Sequence, residues 1–153
     1  MAGEVHRIED QLQRAFEGGA WHGPSVLEVL EGVTAAKAAA RPVAGAHSIW
    51  EMVLHIAAWK GAVRRRLQGE PVELTDAEDW PAVRDTDEAA WAAAQEKLRS
   101  GHQALRRAIA KLSDARLKEE VPGKDYTHYH LAHGVIQHDL YHAGQIAVLR
   151  KGK

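Results

Sequence analysis

His138 and His142 stand four residues apart in the segment QHDLYHAGQIAVLR. In a helix, at 100° per residue, both imidazoles point to one side. Leu131, Val135, Ile146 and Leu149 fall with them in one arc about 80° wide, and the two histidines lie in its middle. They are therefore expected to face the core. Buried imidazoles need partners for their ring nitrogens, and two adjacent rings charged together would repel each other. The i, i+4 spacing also lets two imidazoles reach one metal ion. His55, at the flank of the apolar arc of another helix and one turn before Trp59, offers a third nitrogen. Two histidines from one helix and one from another make an all-nitrogen, three-ligand set, the kind that leaves coordination positions open for chemistry. Neutral imidazole suits zinc, nickel, copper or iron, so the ligands alone do not choose the metal.

Other polar residues carry blander expectations. A His-x-x-x-His spacing arises readily by chance in a chain with ten histidines, where hydrogen-bonded core histidines are the common outcome. His102 lies near the apolar stripe of its helix without an i+4 partner, and is expected to be a satisfied or partly exposed histidine. His128, His130 and His133 fall off the central arc of the last helix and are expected to be capping or surface groups. The metalloprotease pattern His-Glu-x-x-His is excluded, because the residue after His138 is Asp139 rather than the required glutamate. Asp139 points about 80° off the arc, which predicts a carboxylate behind the ligands or in solvent. Trp50 and Trp59 are the tryptophans placed to line a pocket near His55. No phosphate-binding glycine loop, nucleophile elbow or pair of buried carboxylates stands out.

The elements that must position these residues are helices. Apolar residues recur at helical spacing throughout, and no convincing alternating strand is found. A first helix is expected over residues 4–17, with Val5, Ile8, Leu12 and Phe16 on one stripe. Ser25 and Glu28 fit a capping box before a short second segment that fades near Arg41-Pro42. Ser48 and Glu51 form another, opening a long helix that stops at Gly69. The polar stretch from Gly69 to about Asp85 is long for a helix hairpin and is expected to wrap one end of the fold. Thr86 or Asp87 caps a third long helix, and Thr127 caps the last, which runs to about Arg150. The pattern predicts an all-α protein: a single domain over residues 1–153, a four-helix bundle with one short accessory helix.

Composition narrows the partners. With 20 basic and 21 acidic side chains the formal charge is −1, which gives no general attraction to nucleic acid or to a membrane surface. There is no cysteine, so thiolate ligands are excluded and any transition-metal site falls to histidine and carboxylate. The first residues are charged from Glu4 onward, unlike a signal peptide, and no apolar run reaches the ~18 residues of a membrane span. A soluble, cytoplasmic protein is expected.

The segments HSIWEMVLHIAAW and, about eighty residues later, HDLYHAGQIAVLRK resemble the DinB-like superfamily of bacterial four-helix metalloproteins, with WHGPS and EDWP as further similar features. The resemblance covers nearly the whole chain. It implies an up-down-down-up bundle, often a homodimer. It also implies a divalent metal on three histidines, which map here onto His55, His138 and His142. The metal is commonly nickel or zinc, with manganese or iron in some members. Characterised relatives are thiol-dependent enzymes that use bacillithiol, mycothiol or a similar small thiol, transferring it to electrophiles or isomerising maleylpyruvate. The expected activity is therefore a metal-dependent thiol S-transferase acting on a small-molecule thiol and an electrophilic substrate. The alternatives are a hydrolase on the same triad and a non-catalytic metal-binding or dimerisation module. Catalytic residues beyond the triad are not assigned.

Overall fold

The computed structural model describes residues 3–152, so Met1, Ala2 and Lys153, the ends of the domain read from sequence, lie outside the described residues. Four long helices carry the fold: α1 (Glu4–Glu17), α4 (Ile49–Leu67), α6 (Glu88–Ile109) and α7 (His128–Leu149). Three short ones, α2 (Val26–Leu30), α3 (Ala35–Ala39) and α5 (Asp76–Asp79), and a 3₁₀ turn over Arg116–Lys118 lie between them. No strand occurs among the described residues; Glu120 and Thr127 form an isolated bridge.

The caps were largely set by local chemistry. Ser25 and Ser48 each accept from the third helical amide while Glu28 and Glu51 reach back to the cap residue's own N–H. Asp87, rather than Thr86, caps α6 by accepting from Ala90 N at 2.7 Å, and Thr127 caps α7. Helix α1 begins after Gly3, which has no capping side chain; the Asp114 carboxylate takes over, accepting from Glu4 N and Val5 N at 3.0 Å each. These two amides hold the Asp114 pKa below its usual value. The single accessory helix expected after Ser25 is in fact two. Gly32, at φ +73°, ends α2 in a left-handed turn, and Thr34 caps a new start.

Around the bundle, α4 packs on α6 and α7, and α1 packs on the same two. The core has two apolar halves. One gathers Phe16, α2 and α3, the first turns of α4 up to Ala57, Trp91 and Leu98 of α6, and the end of α7 from Ala143. The other gathers Ile8 and Leu12, Val63 and Leu67, Leu105 and Ile109, and the start of α7 up to Ile136. Thus α1 and α7 run towards the first half while α4 and α6 run away from it, an up-down-down-up order. Consecutive parallel helices need a long return path. Residues 68–87 provide it, and so run back along α4 rather than wrapping one end as expected; α5 lies on this path.

Between the two halves the core is polar. Lys60 of α4 and Asp139 of α7 are both fully buried, with Nζ donating to Oδ2 at 2.6 Å. Lys60 Nζ also lies 3.3 Å from His102 Nδ1 on α6 and 4.6 Å above the Phe16 ring of α1. Four helices therefore meet at one ammonium. An ammonium can only donate, so His102 Nδ1 is the lone-pair nitrogen and Nε2 carries the proton, 3.4 Å from Glu17. The His102 ring stacks on Phe16 with centroids 3.8 Å apart.

Removing one member of a buried pair strands the other charge, whereas replacing both with apolar groups of similar volume costs little. Lys60→Met is expected to destabilise the fold by about 3–5 kcal/mol, and adding Asp139→Leu is expected to recover most or all of that loss. Urea unfolding of the metal-free proteins checks this; a double variant no more stable than the single one contradicts it.

Candidate metal centre

Just off this polar layer, His55, His138 and His142 converge. His138 Nε2 lies 3.0 Å from His55 Nε2 and 3.1 Å from His142 Nε2. One ligand atom from each of the three falls within 4.8 Å of the others. The ring planes are inclined to one another, by 47° between His55 and His138, 82° between His55 and His142 and 77° between His138 and His142. His55 and His142 are buried and His138 is partly exposed.

Hydrogen bonds at the far side of two rings fix their tautomers. His55 Nδ1 donates to the Asp79 carbonyl at 2.7 Å, with the Asp79 carboxylate 3.1 Å away. His142 Nδ1 donates to Gln145 Oε1 at 2.7 Å. A neutral imidazole with Nδ1 protonated has a lone pair at Nε2. His138 Nε2 thus faces two lone pairs, and a single proton there can satisfy only one. Burial, reinforced by His142, His55 and Lys60, pushes the His138 pKa down to about 3, and burial lowers that of His142 as well. His138 is therefore neutral at neutral pH; its Nδ1 has no hydrogen-bond partner, so in the metal-free protein its one proton serves Nε2 and reaches one of the two facing lone pairs, leaving the other unmatched. The arrangement fits a divalent cation: tetrahedral ligands at ~2.05 Å from a metal lie about 3.3 Å apart, close to the two separations from His138 Nε2, and the third pair lies within 4.8 Å.

The path of residues 68–87 crosses the bundle at this level. The Trp80 indole lies flat on His55, centroids 3.8 Å apart and 6° from parallel, and His47 covers its other face at 3.6 Å. Trp59 Nε1 donates to Asp79 Oδ1 at 2.6 Å. Asp79 therefore ties both the His55 imidazole and the Trp59 indole to the connection. Such outer partners orient a ligand ring and raise its basicity.

The sequence pairing of His138 and His142 with His55 is thus brought together in space. Trp59 lies beside His138, with centroids 6.1 Å apart, but Trp50 does not join the pocket; it is buried against Trp91 in the first apolar half. Asp139 is neither behind a ligand ring nor in solvent: it is the core partner of Lys60. His128 is not a surface group either. It is fully buried, with Nδ1 2.8 Å from the Glu119 carbonyl, pinning the start of α7 to the preceding turn. His130 is exposed and His133 half-buried, as surface or flanking groups. Lys60, Asp79 and Trp80 were not singled out by spacing. Asp79 and Trp80 both belonged to the EDWP feature, the one sign that this stretch approaches the site. Among the described residues, no fourth histidine or carboxylate joins the group.

The family model of the DinB superfamily matches residues 9–146. The chain belongs to the DinB superfamily. No curated protein and no solved structure matches it. The match spans α1 to most of α7 and so includes all three histidines of this DinB-superfamily site.

Two outcomes follow from this geometry. Purified protein is expected to hold about one divalent ion per chain by elemental analysis, and a His138→Ala, His142→Ala double variant to hold none. Stoichiometric metal in the double variant would remove the triad from consideration. The second concerns acid. Burial, with Lys60 and Arg106 nearby, drives His102 down to about 2, as burial drives His138 down to about 3. The unfolded chain takes up protons near 6.5 where the folded chain refuses them, so this stability is complete above pH 6.5 and is lost as pH falls towards 3. Each group contributes up to about 1.4 kcal/mol per pH unit in that window. Metal-free protein is expected to lose stability between pH 6 and 5, where most carboxylates are still ionised, and His102→Gln to flatten the loss by about one proton. Urea midpoints across that range measure it.

Proposed function

We propose that the chain is a metal-dependent thiol S-transferase that joins a low-molecular-weight thiol to an electrophilic small molecule. The observation that carries this is a set of three histidines with no fourth protein ligand among the described residues, one of which, His138, borders an open cleft. A closed, four-ligand site would have favoured a structural metal. Nickel or zinc is the proposed occupant, held by His55, His138 and His142. Because the ligands bring no negative charge, the bound cation would supply undiminished positive charge that favours the thiolate form of an incoming thiol at neutral pH.

The protein's own residues do the rest. Asp79 and Gln145 hold the two imidazoles in the tautomer that presents Nε2. Trp80 and Trp59 shield the site from water on the side of the 68–87 connection, which strengthens electrostatic interactions there. The chain has no cysteine, so it supplies no sulfur nucleophile of its own and the thiol enters as cosubstrate. In the transfer the thiol loses its S–H proton to solvent, a sulfur–carbon bond forms, and the carbon's bond to its leaving group breaks with the electron pair departing on that group. No oxidation or reduction is required.

In a cobalt- or nickel-substituted form, saturating low-molecular-weight thiol is expected to change the ligand-field spectrum, with a panel of thiols ranking the cosubstrate. An unchanged spectrum at saturation in a metal-loaded sample argues against thiol binding at the centre. It would leave the hydrolase, which uses the same triad with water, as the better reading.

A further inference from the structure

A cleft of about 300 Å³ opens beside the triad between α4 and α7. His138 stands at one end. Trp59, Val63, Leu131 and Val135 make apolar walls, and Arg66 with Tyr126 stands at the other end. The volume is at the small end for ligand sites, suited to a compact organic molecule rather than a peptide or a nucleotide. Besides His138 and the exposed His130, one charged group faces this apolar space. Arg66 is only 5% exposed, and its guanidinium is held in place on three sides. Nε donates to the Val72 carbonyl at 2.9 Å, Nη1 donates to Tyr126 Oη at 3.1 Å, and the plane sits 5.3 Å above the Trp59 ring.

Its charge is not matched. The carboxylate near it, Glu73, is 3.5 Å from Nη2, is largely exposed, and is shared with Lys124. One negative charge between two positive ones leaves that end of the cleft net positive. Of the guanidinium's five N–H groups these contacts engage at most three, so at least two remain to donate. A planar, pre-positioned fork with free donors is suited to a carboxylate. Gly134, on the α7 wall, leaves room: a Cβ built there meets nothing within 4 Å.

We propose that this cleft binds the electrophilic substrate, and that the substrate is a small organic acid. Its carboxylate lies on Arg66, its aromatic or branched apolar body lies along Trp59, Val63 and Val135, and its reacting carbon is directed to the His138 end. This rests on the transferase reading for the chemistry, but the binding site itself does not. An Arg66 that served only to tie the 68–87 connection to α4 would bind no anion.

Phenylacetate and its neutral isostere phenylacetamide separate the two cases, titrated calorimetrically into metal-loaded protein. The wild type is expected to prefer phenylacetate by about tenfold or more, and Arg66→Gln to remove the preference while leaving phenylacetamide unchanged. Gly134→Met, which fills the cleft from an open helix position, is expected to abolish binding of both probes with metal content intact. Equal affinity for the two probes in the wild type overturns the proposal, as does a preference that survives Arg66→Gln. Should Arg66→Gln fail to fold for want of its ties to Val72 and Tyr126, undiminished phenylacetate binding in Gly134→Met overturns it instead. Metal measured in the same samples keeps the two readings apart. Arg66-dependent preference in protein that fails to load metal supports the cleft and counts against the transferase; metal-loaded protein without the preference overturns the cleft and leaves the transferase to the thiol spectrum.

Discussion

The ion pair of Lys60 and Asp139, buried at the middle of the core, is the constraint on which the arrangement depends. An apolar interface between two helices tolerates sliding and rotation at modest cost, because one methyl replaces another. A pair of opposite charges with no access to water does not, since any slip leaves each charge uncompensated. A displacement of one residue along α4 or α7 would turn its side chains by 100°. The register that joins Lys60 to Asp139 is therefore the register that brings His55 within 3.0 Å of His138. The pair sits five residues along α4 from His55 and next to His138 on α7, so error in one contact passes to the other with little room to relax.

The second constraint is the connection from α4 to α6. Two consecutive helices that run the same way need a return path the length of the bundle, and this path must cross the level of the site. It does so at Asp79 and Trp80, where the backbone turns its carbonyl onto His55 and lays an indole over the ring. Topology thus supplies the hydrogen-bond acceptor that fixes the His55 tautomer. A bundle with a short hairpin at that point would leave His55 Nδ1 to water and the ring free to rotate.

How much of this was legible in the sequence depends on the range of the interaction involved. Helices α1, α4, α6 and α7 could be placed because their stripes and caps, Ser48 with Glu51 and Thr127 among them, are written within a few residues. The inward direction of His138 and His142 followed from the same periodicity. What periodicity misjudged were polar residues whose partners lie on another helix. Asp139 falls off the apolar arc of α7, and a carboxylate there ordinarily faces water; only the packing of α4 against that flank, with Lys60 at its level, makes it a core residue. Lys60 gave no signal for the same reason. His128 was misplaced because its acceptor, the Glu119 carbonyl, belongs to a turn that spacing does not describe. Trp50 sits on the same helix as Trp59, yet the first apolar half claims it through Trp91.

The buried pair also bears on how the centre competes for a cation. An ammonium close to a cation site would by itself oppose binding, since at an effective dielectric constant near 20 two unit charges 6 Å apart repel by about 3 kcal/mol. Asp139, in direct contact with Lys60, offsets most of that cost for a divalent ion a few ångströms further away, because the ion sees the pair as a dipole. A proton arriving on His138 is a different matter. It must be accommodated on a ring that is itself desolvated and beside two other imidazoles. Desolvation penalises a lone imidazolium that has no carboxylate partner of its own. A cation held by three imidazoles at once replaces its lost water with three lone pairs. The same environment therefore disfavours a proton on His138, and its neutral donors, placed where the helices are most tightly locked, are of the kind that could hold a divalent cation.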